Sequence, residues 1–172
     1  QIGAFLMVLR YKEETPQEVA GFAQAARRLI ERPAQAPRVD LDWSCYAGKR
    51  RQLPWFALSA LLLARTGTKI FMHGVEGHTA GRIYADQSLR AIGVPIADSM
   101  DDAADILSQT NLCYLPLAKI SPKLAELIDL KAVLGLRSPV HTLSRMINPF
   151  AAAHVLQGIF HPGFNAVHQQ AA

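Results

Sequence analysis

Ten consecutive residues carry most of the candidate chemistry in this chain: Asp42, Trp43, Ser44, Cys45, Tyr46, Ala47, Gly48, Lys49, Arg50 and Arg51. An apolar run, Val39 to Trp43, leads into them, and a helical run from Pro54 to Arg65 follows. In an open α/β sheet, a turn that takes a strand into a helix faces the ligand crevice. Such turns usually hold phosphate with glycines, because bare backbone lets N–H groups approach the anion. Here Gly48 is followed by three cations in a row. The position suits a small phosphorylated substrate, but the charge suits a polyanion better. Lys and Arg on backbone phosphates release condensed counterions and make affinity salt-dependent. A basic triplet at a helix start opposes the helix dipole, a conflict that an arriving anion relieves. The competing reading is a solvated run of charge.

Other residues could join this chemistry. Arg82 follows Gly81 in a glycine-flanked loop and is a further candidate for phosphate contact. Tyr46, Trp43 and Trp55 offer rings on which bases could stack without regard to sequence. Of these, Tyr46 is the better candidate, since Trp55 lies in an apolar helix and is expected in the core. His73 reads as a structural histidine at a strand end. His154, His161 and His168 recur every seven residues. Pro162-Gly163 interrupts any single helix that would present all three, so no metal site is expected. Cys45 and Cys113 lack C-x-x-C spacing and a paired base; they read as free thiols in a reducing cytosol.

The bulk properties frame these candidates. The chain has 172 residues, 50% hydrophobic and 19% charged, with a net charge of +4 and a pI near 9.3. That is an ordinary globular composition. The charge is uneven: residues 27–90 hold eleven Lys and Arg against five Asp and Glu, while Asp98, Asp101, Asp102 and Asp105 form an acidic run further on. A concentrated positive field steers anionic partners. There is no apolar run of transmembrane length. Ile2 to Leu9 lacks the basic leader and cleavage site of a signal peptide. The chain opens in an apparent helix without Met and reads as an internal piece of a longer cytoplasmic protein.

The elements that must position the candidates follow from periodicity and punctuation. Gln1 to Arg10 predicts a helix with Ile2, Phe5, Leu6 and Leu9 on one face. Thr15-Pro16-Gln17-Glu18 is a capping-box start for a second helix with Val19, Phe22, Ala23, Ala26 and Leu29 inward. Pro33 to Pro37 reads as a linker and domain boundary. Beyond it, four short strands are expected at Val39–Trp43, Lys69–His73, Leu112–Leu117 and Val155–Phe160. Helices are expected at Pro54–Arg65, Ala85–Ile92, Met100–Thr110, Pro122–Leu134 and Pro139–Met146, with a last one running to Ala172. The first of these is apolar almost all round and is expected to be buried. Strands alternating with helices imply an α/β fold with a parallel sheet and right-handed crossovers. The expected division is a helical domain, residues 1–36 with the helices near 121–148, and an incomplete α/β domain, residues 37–120 and 149–172.

In order and spacing these motifs resemble the anthranilate phosphoribosyltransferase family, of glycosyltransferase family 3 type. The resemblance rests on Gly3-Ala4-Phe5-Leu6, Glu14 to Glu18, His73-Gly74, Ala85-Asp86, Ala91 to Val94, Leu134 to Arg137 and Asn148-Pro149. The enzymes carry Asp-x-x-Gly-Thr-Gly-Gly-Asp for phosphoribosyl pyrophosphate. Asp42 matches, but Cys45, Tyr46, Ala47, Gly48 and Lys49 replace the rest of the loop. The family's Lys-His-Gly-Asn becomes Met72-His73-Gly74-Val75. Arg137 matches the position that contacts the aromatic acid in the enzymes. The first helix's end borders the crevice in that fold, which makes Arg10 and Lys12 candidates too. A retained fold with a dismantled loop resembles the YbiB-type branch. This implies a non-enzymatic, sequence-independent binder of DNA or RNA. It is expected to be a homodimer through its helical domain, with no catalytic residue, metal or cofactor and no membrane association. The alternative is an active phosphoribosyl or pentosyl transferase using magnesium and phosphoribosyl pyrophosphate with a diverged loop.

Overall fold

Residues 1–46, 52–77 and 81–172 are described by the computed structural model. Strands β1 (Leu41–Ser44), β2 (Ile70–Gly74), β3 (Leu112–Pro116) and β4 (His154–Gln157) form one parallel sheet in the order β3-β2-β1-β4. β2 is buried along its whole length, as the apolar run Ile70-Phe71-Met72 requires of a strand covered on both faces. Successive residues of a strand point to opposite faces, and the core divides accordingly. Ile70 and Met72 pack with Ala57, Ala60, Ala64, Leu89 and Tyr114 on one face. Phe71 packs with Leu107, Cys113, Leu115 and residues of the helical layer on the other.

Helices α1 (Ile2–Lys12) and α2 (Pro16–Arg28) open the helical layer. Thr15 Oγ1 accepts the Glu18 N–H at 3.2 Å, and Glu18 Oε2 accepts the Thr15 N–H at 2.9 Å. This is the reciprocal box that satisfies two orphan donors of a helix start. Helices α3 (Phe56–Arg65), α4 (Ala85–Ala91) and α5 (Met100–Thr110) lie between the strands that they join. Ser99 caps α5 by accepting the Asp102 N–H at 3.1 Å. The chain then adds α6 (Leu117–Ile120), which packs on β3, α7 (Pro122–Asp129) and α8 (Lys131–Leu134), which pack on their neighbours in this layer, and α9 (Val140–Leu143), which packs on α2. The last helix, α10 (Asn165–Ala171), packs on α2, where Val167 and Ala171 meet Val19, Ala23 and Met146. Among the described residues no helix is long and apolar enough to cross a membrane.

Several expectations needed correction. α3 is not buried all round: its small residues Ala57, Ala60 and Ala64 sit on the sheet, while Trp55, Leu58 and Leu62 are left half or more exposed. Only alanine lets that helix approach so closely, and the opposite side then faces outward. Leu29, expected inward, is exposed just past α2; the shared face of α1 buries Leu6 and Leu9 and leaves Ile2 and Phe5 exposed. The run 122–134 is two helices rather than one, and the run 139–146 is one turn of α-helix continued by a 3-10 turn, Ser144–Met146. α6 was not foreseen.

Candidate functional site

The site begins at the carboxyl ends of β1 and β2. Their parallel register sets Ser44 beside His73, and the Cys45 N–H donates to the His73 carbonyl at 2.7 Å. The chain therefore leaves β1 lying on β2. A Cβ placed on Gly74 would stand 2.9 Å from the Cys45 carbonyl oxygen and 3.1 Å from the Tyr114 hydroxyl. Glycine at this position is a condition of the turn's close approach.

Beneath the turn, three polar side chains are stacked in the core. His73 Nε2 faces Asp42 Oδ1 at 3.1 Å, and the Tyr46 hydroxyl meets His73 Nδ1 at 2.9 Å. Asp42 and His73 have no exposure and Tyr46 has 2%. A carboxylate only accepts hydrogen bonds, so Nε2 carries the proton, and in the neutral ring Nδ1 accepts the phenol's. Tyr46 was expected to present a face for a base. Its ring is instead sealed edge-on against His73, with centroids 5.4 Å apart, and offers nothing to a ligand. Trp43, the other ring at this turn, stacks on Phe56. Trp55, expected in the core, is the exposed one of the three.

The cations differ in the company they keep. Arg10 is bridged to buried Glu14 at 3.3 Å and lies over the Phe164 ring at 4.8 Å. Lys12 is held by Glu18 at 2.6 Å. Lys12 and then the Thr15 backbone N–H keep the Glu18 carboxyl down at about 2. Both cations expected at the crevice from the first helix therefore already have acidic partners. Arg82 is half-buried with its guanidinium 4.7 Å from the Tyr84 ring. Burial lowers its pKa, and Arg137 lowers it further. Arg145 was not foreseen. It is buried, burial and then Arg137 bring its pKa down to about 10, and Tyr46 and Arg82 also act on it. Arg137 and Arg145 line one cleft, and Arg82 is near enough to act on the Arg145 charge. The only advance signal for Arg145 was a lone arginine among the apolar residues of 139–150.

His161 and His168 line a common cleft, but among the described residues no three such side chains come together as a metal site. His154, His161 and His168 sit on β4, at the turn before Pro162 and on α10, and only His168 is buried. The Gln157 side chain meets His168 Nδ1 at 2.7 Å. Burial, then Arg145, pushes the imidazole down to about 4. The folded protein therefore binds this proton less readily than the unfolded chain does. The stability contribution is whole above about pH 6.5 and declines as pH falls toward 4. We expect the urea midpoint to drop between pH 7 and pH 5, and to drop less in His168→Asn. Burial raises both thiols, Cys45 strongly and Cys113 to about 12. Both are free, buried and poor nucleophiles.

A sugar diphosphate needs open backbone donors at the turn after β1. In the described part of that turn, the Cys45 N–H is engaged by β2, and the Cys45 and Tyr46 side chains are packed inward. Asp42 is wholly buried, with Oδ2 lacking any hydrogen-bond partner among the described residues. These residues do not fit a pyrophosphate cradle. Ala47, Gly48, Lys49, Arg50 and Arg51 lie outside the described residues, so their part in the site rests on sequence.

Comparison with known proteins agrees with this architecture. Residues 1–29 match the glycosyl transferase family helical bundle domain. The chain is 33% identical to the anthranilate phosphoribosyltransferase of Brevibacillus brevis, over 93% of its own length and 47% of that protein's. It is 25% identical to the uncharacterized protein YbiB of Escherichia coli, over 95% of its own length and 52% of that protein's. It superposes on the anthranilate phosphoribosyltransferase of Thermus thermophilus with a TM-score of 0.84 at 23% identity, covering 99% of this chain and 52% of the other. The same enzyme from Saccharomyces cerevisiae, solved with PRPP and Mg, gives 0.79 at 16% identity, covering 99% and 48%. The chain spans about half the length of the curated relatives it matches.

Proposed function

Starting from a chain that is homologous to anthranilate phosphoribosyltransferases over most of its own length and has their fold, we propose that it binds DNA or RNA without sequence preference and performs no transfer chemistry. The supporting observation is the inward-packed Tyr46: in the described part of the turn that would cradle a sugar diphosphate, Cys45 and Tyr46 are buried and the Tyr46 hydroxyl is taken up by His73. Lys49, Arg50 and Arg51 follow that turn directly and supply the phosphate contacts. Arg82 and Arg137 extend the positive region, and Arg10 and Lys12 contribute only where phosphate displaces their carboxylate partners.

A second copy of the chain doubles this path. Ile2, Phe5, Val8 and Leu29 are exposed on the helical layer, and an isologous pairing through that face buries them on both protomers. Sedimentation should give a dimer, and Phe5→Asp should give a monomer; a wild-type monomer sinks this part of the reading. We place the protein in the cytoplasm, where its two free, buried thiols remain reduced. The deciding experiment measures oligonucleotide affinity across a salt series, alongside turnover of phosphoribosyl pyrophosphate with magnesium. Affinity falling linearly with log salt and no turnover supports the binder. Turnover with no oligonucleotide binding returns the protein to the transferases.

A further inference from the structure

A cleft opens between α9, α10 and the loop after β4. Arg145, Ser138, Arg137 and His168 are among its lining residues, with Arg10 at the α1 side. Arg145 is 7% exposed and Ser138 4%. One guanidinium nitrogen of Arg145, Nη1, donates to the His141 carbonyl. Its Nε, equally buried, has no hydrogen-bond partner among the described residues, and neither has Ser138 Oγ. Among the described residues no Asp or Glu lines the cleft.

A buried cation without an acid beside it is costly, and each buried donor left unmade adds to that cost. Two further arginines make this case worse. Arg137 and Arg82 are near enough to disfavour the charge on Arg145, and burial adds to the effect. Apolar packing offers no relief. A compact oxyanion in the cleft would neutralise the guanidinium, and a small side-chain shift would bring Nε and Ser138 Oγ, both now sealed from solvent, to its oxygens. A planar guanidinium suits phosphate oxygens in this way.

We propose that this cleft is a binding site for a single phosphate group, held by Arg145 and Ser138 with Arg137 beside them. The site uses no residue of the basic triplet and shares only Arg137 with the nucleic-acid reading. Its ligand is a free phosphate or the terminal phosphate of a larger molecule.

The test is a thermal melt of the wild-type protein in potassium phosphate and in potassium chloride at matched ionic strength. A ligand that binds only the folded state raises Tm with its concentration, so phosphate should raise Tm where chloride does not. Arg145→Met should abolish that rise while leaving Tm in chloride equal to or above wild type, because a buried uncompensated charge has been removed. A merely structural arginine predicts the opposite: a lower Tm in chloride with the phosphate response retained. Ser138→Ala keeps every charge and should weaken the apparent phosphate affinity by about tenfold, the loss of one hydrogen bond to a charged group. If Arg145→Met fails to fold, Ser138→Ala decides: an unchanged phosphate response overturns the proposal. Equal protection by phosphate and chloride also overturns it. Oligonucleotides carrying a 5′-phosphate or a 5′-hydroxyl identify the source, since preference for the phosphorylated end assigns a terminal phosphate and equal binding assigns the free anion. The Lys49→Ala, Arg50→Ala, Arg51→Ala protein should keep the phosphate response while losing oligonucleotide affinity, so the two readings fail separately.

Discussion

Replacing Lys49, Arg50 and Arg51 together with alanine is expected to lower duplex affinity and to flatten its salt dependence. Every phosphate that goes unneutralised should reduce the slope of log affinity against log salt by roughly 0.9 on duplex and roughly 0.7 on a single strand. Removing all three cations at once therefore changes the slope by roughly two to three, which a salt titration resolves easily. The reason is electrostatic and local. Residues 27–90 carry the excess of positive charge, and the triplet is its densest part. Arg10 and Lys12 are already bridged to Glu14 and Glu18, so neither compensates for the missing triplet. Weaker binding that keeps the wild-type slope would remove the triplet from the interface. A loss confined to particular sequences would point to base recognition instead of phosphate recognition.

His73→Ala is expected to be among the most destabilising single changes in the chain. It removes the group that satisfies both Asp42 and Tyr46, each buried. Leaving a buried polar group without its hydrogen-bond partner costs about 1–3 kcal/mol, and more for a charged one such as the Asp42 carboxylate, since it cannot reach water. Tyr46→Phe keeps the ring and loses one hydroxyl, for about 1 kcal/mol. Urea denaturation of the two variants should therefore separate widely, with His73→Ala having much the lower midpoint. Near-equal midpoints would show that Asp42, His73 and Tyr46 do not act as a unit. A bare Tyr46→Ala would carry a further consequence, because emptying the ring's place reopens the floor of the turn. Phosphoribosyl pyrophosphate binding gained by that variant would be direct support for a filled pocket.

These two predictions draw on different kinds of information. The triplet is visible in the sequence as three adjacent cations, and its place after a strand is readable from the hydrophobic run before it. The fold was legible for the same reason. Alternation of strand and helix is set by local periodicity, and the starts at Thr15 and Ser99 are set by side chains that bond their own backbone. All four strands and the parallel sheet follow from such short-range rules, with ends shifted by a few residues.

The site's interior was not legible, and the reason is distance along the chain. Asp42, Tyr46 and His73 are joined through the β1–β2 register, and Arg145 reaches the same region from a segment far along the sequence. No periodicity records which of two faces a tyrosine takes after a strand ends. Tyr46 could turn outward as a stacking platform or inward as a plug, and the carboxylate–imidazole pair waiting below it decided the matter. α3 makes the same point in apolar terms: its composition permits burial on every side, but a helix has one sheet to lie on, and Ala57, Ala60 and Ala64 fit it most closely. Residue type and spacing determined the strands, the helices, the caps and the charge. Which polar groups lost water together, and which cations kept an acid partner, was decided only when distant segments were brought together, because desolvation and pairing are properties of a place and not of a residue.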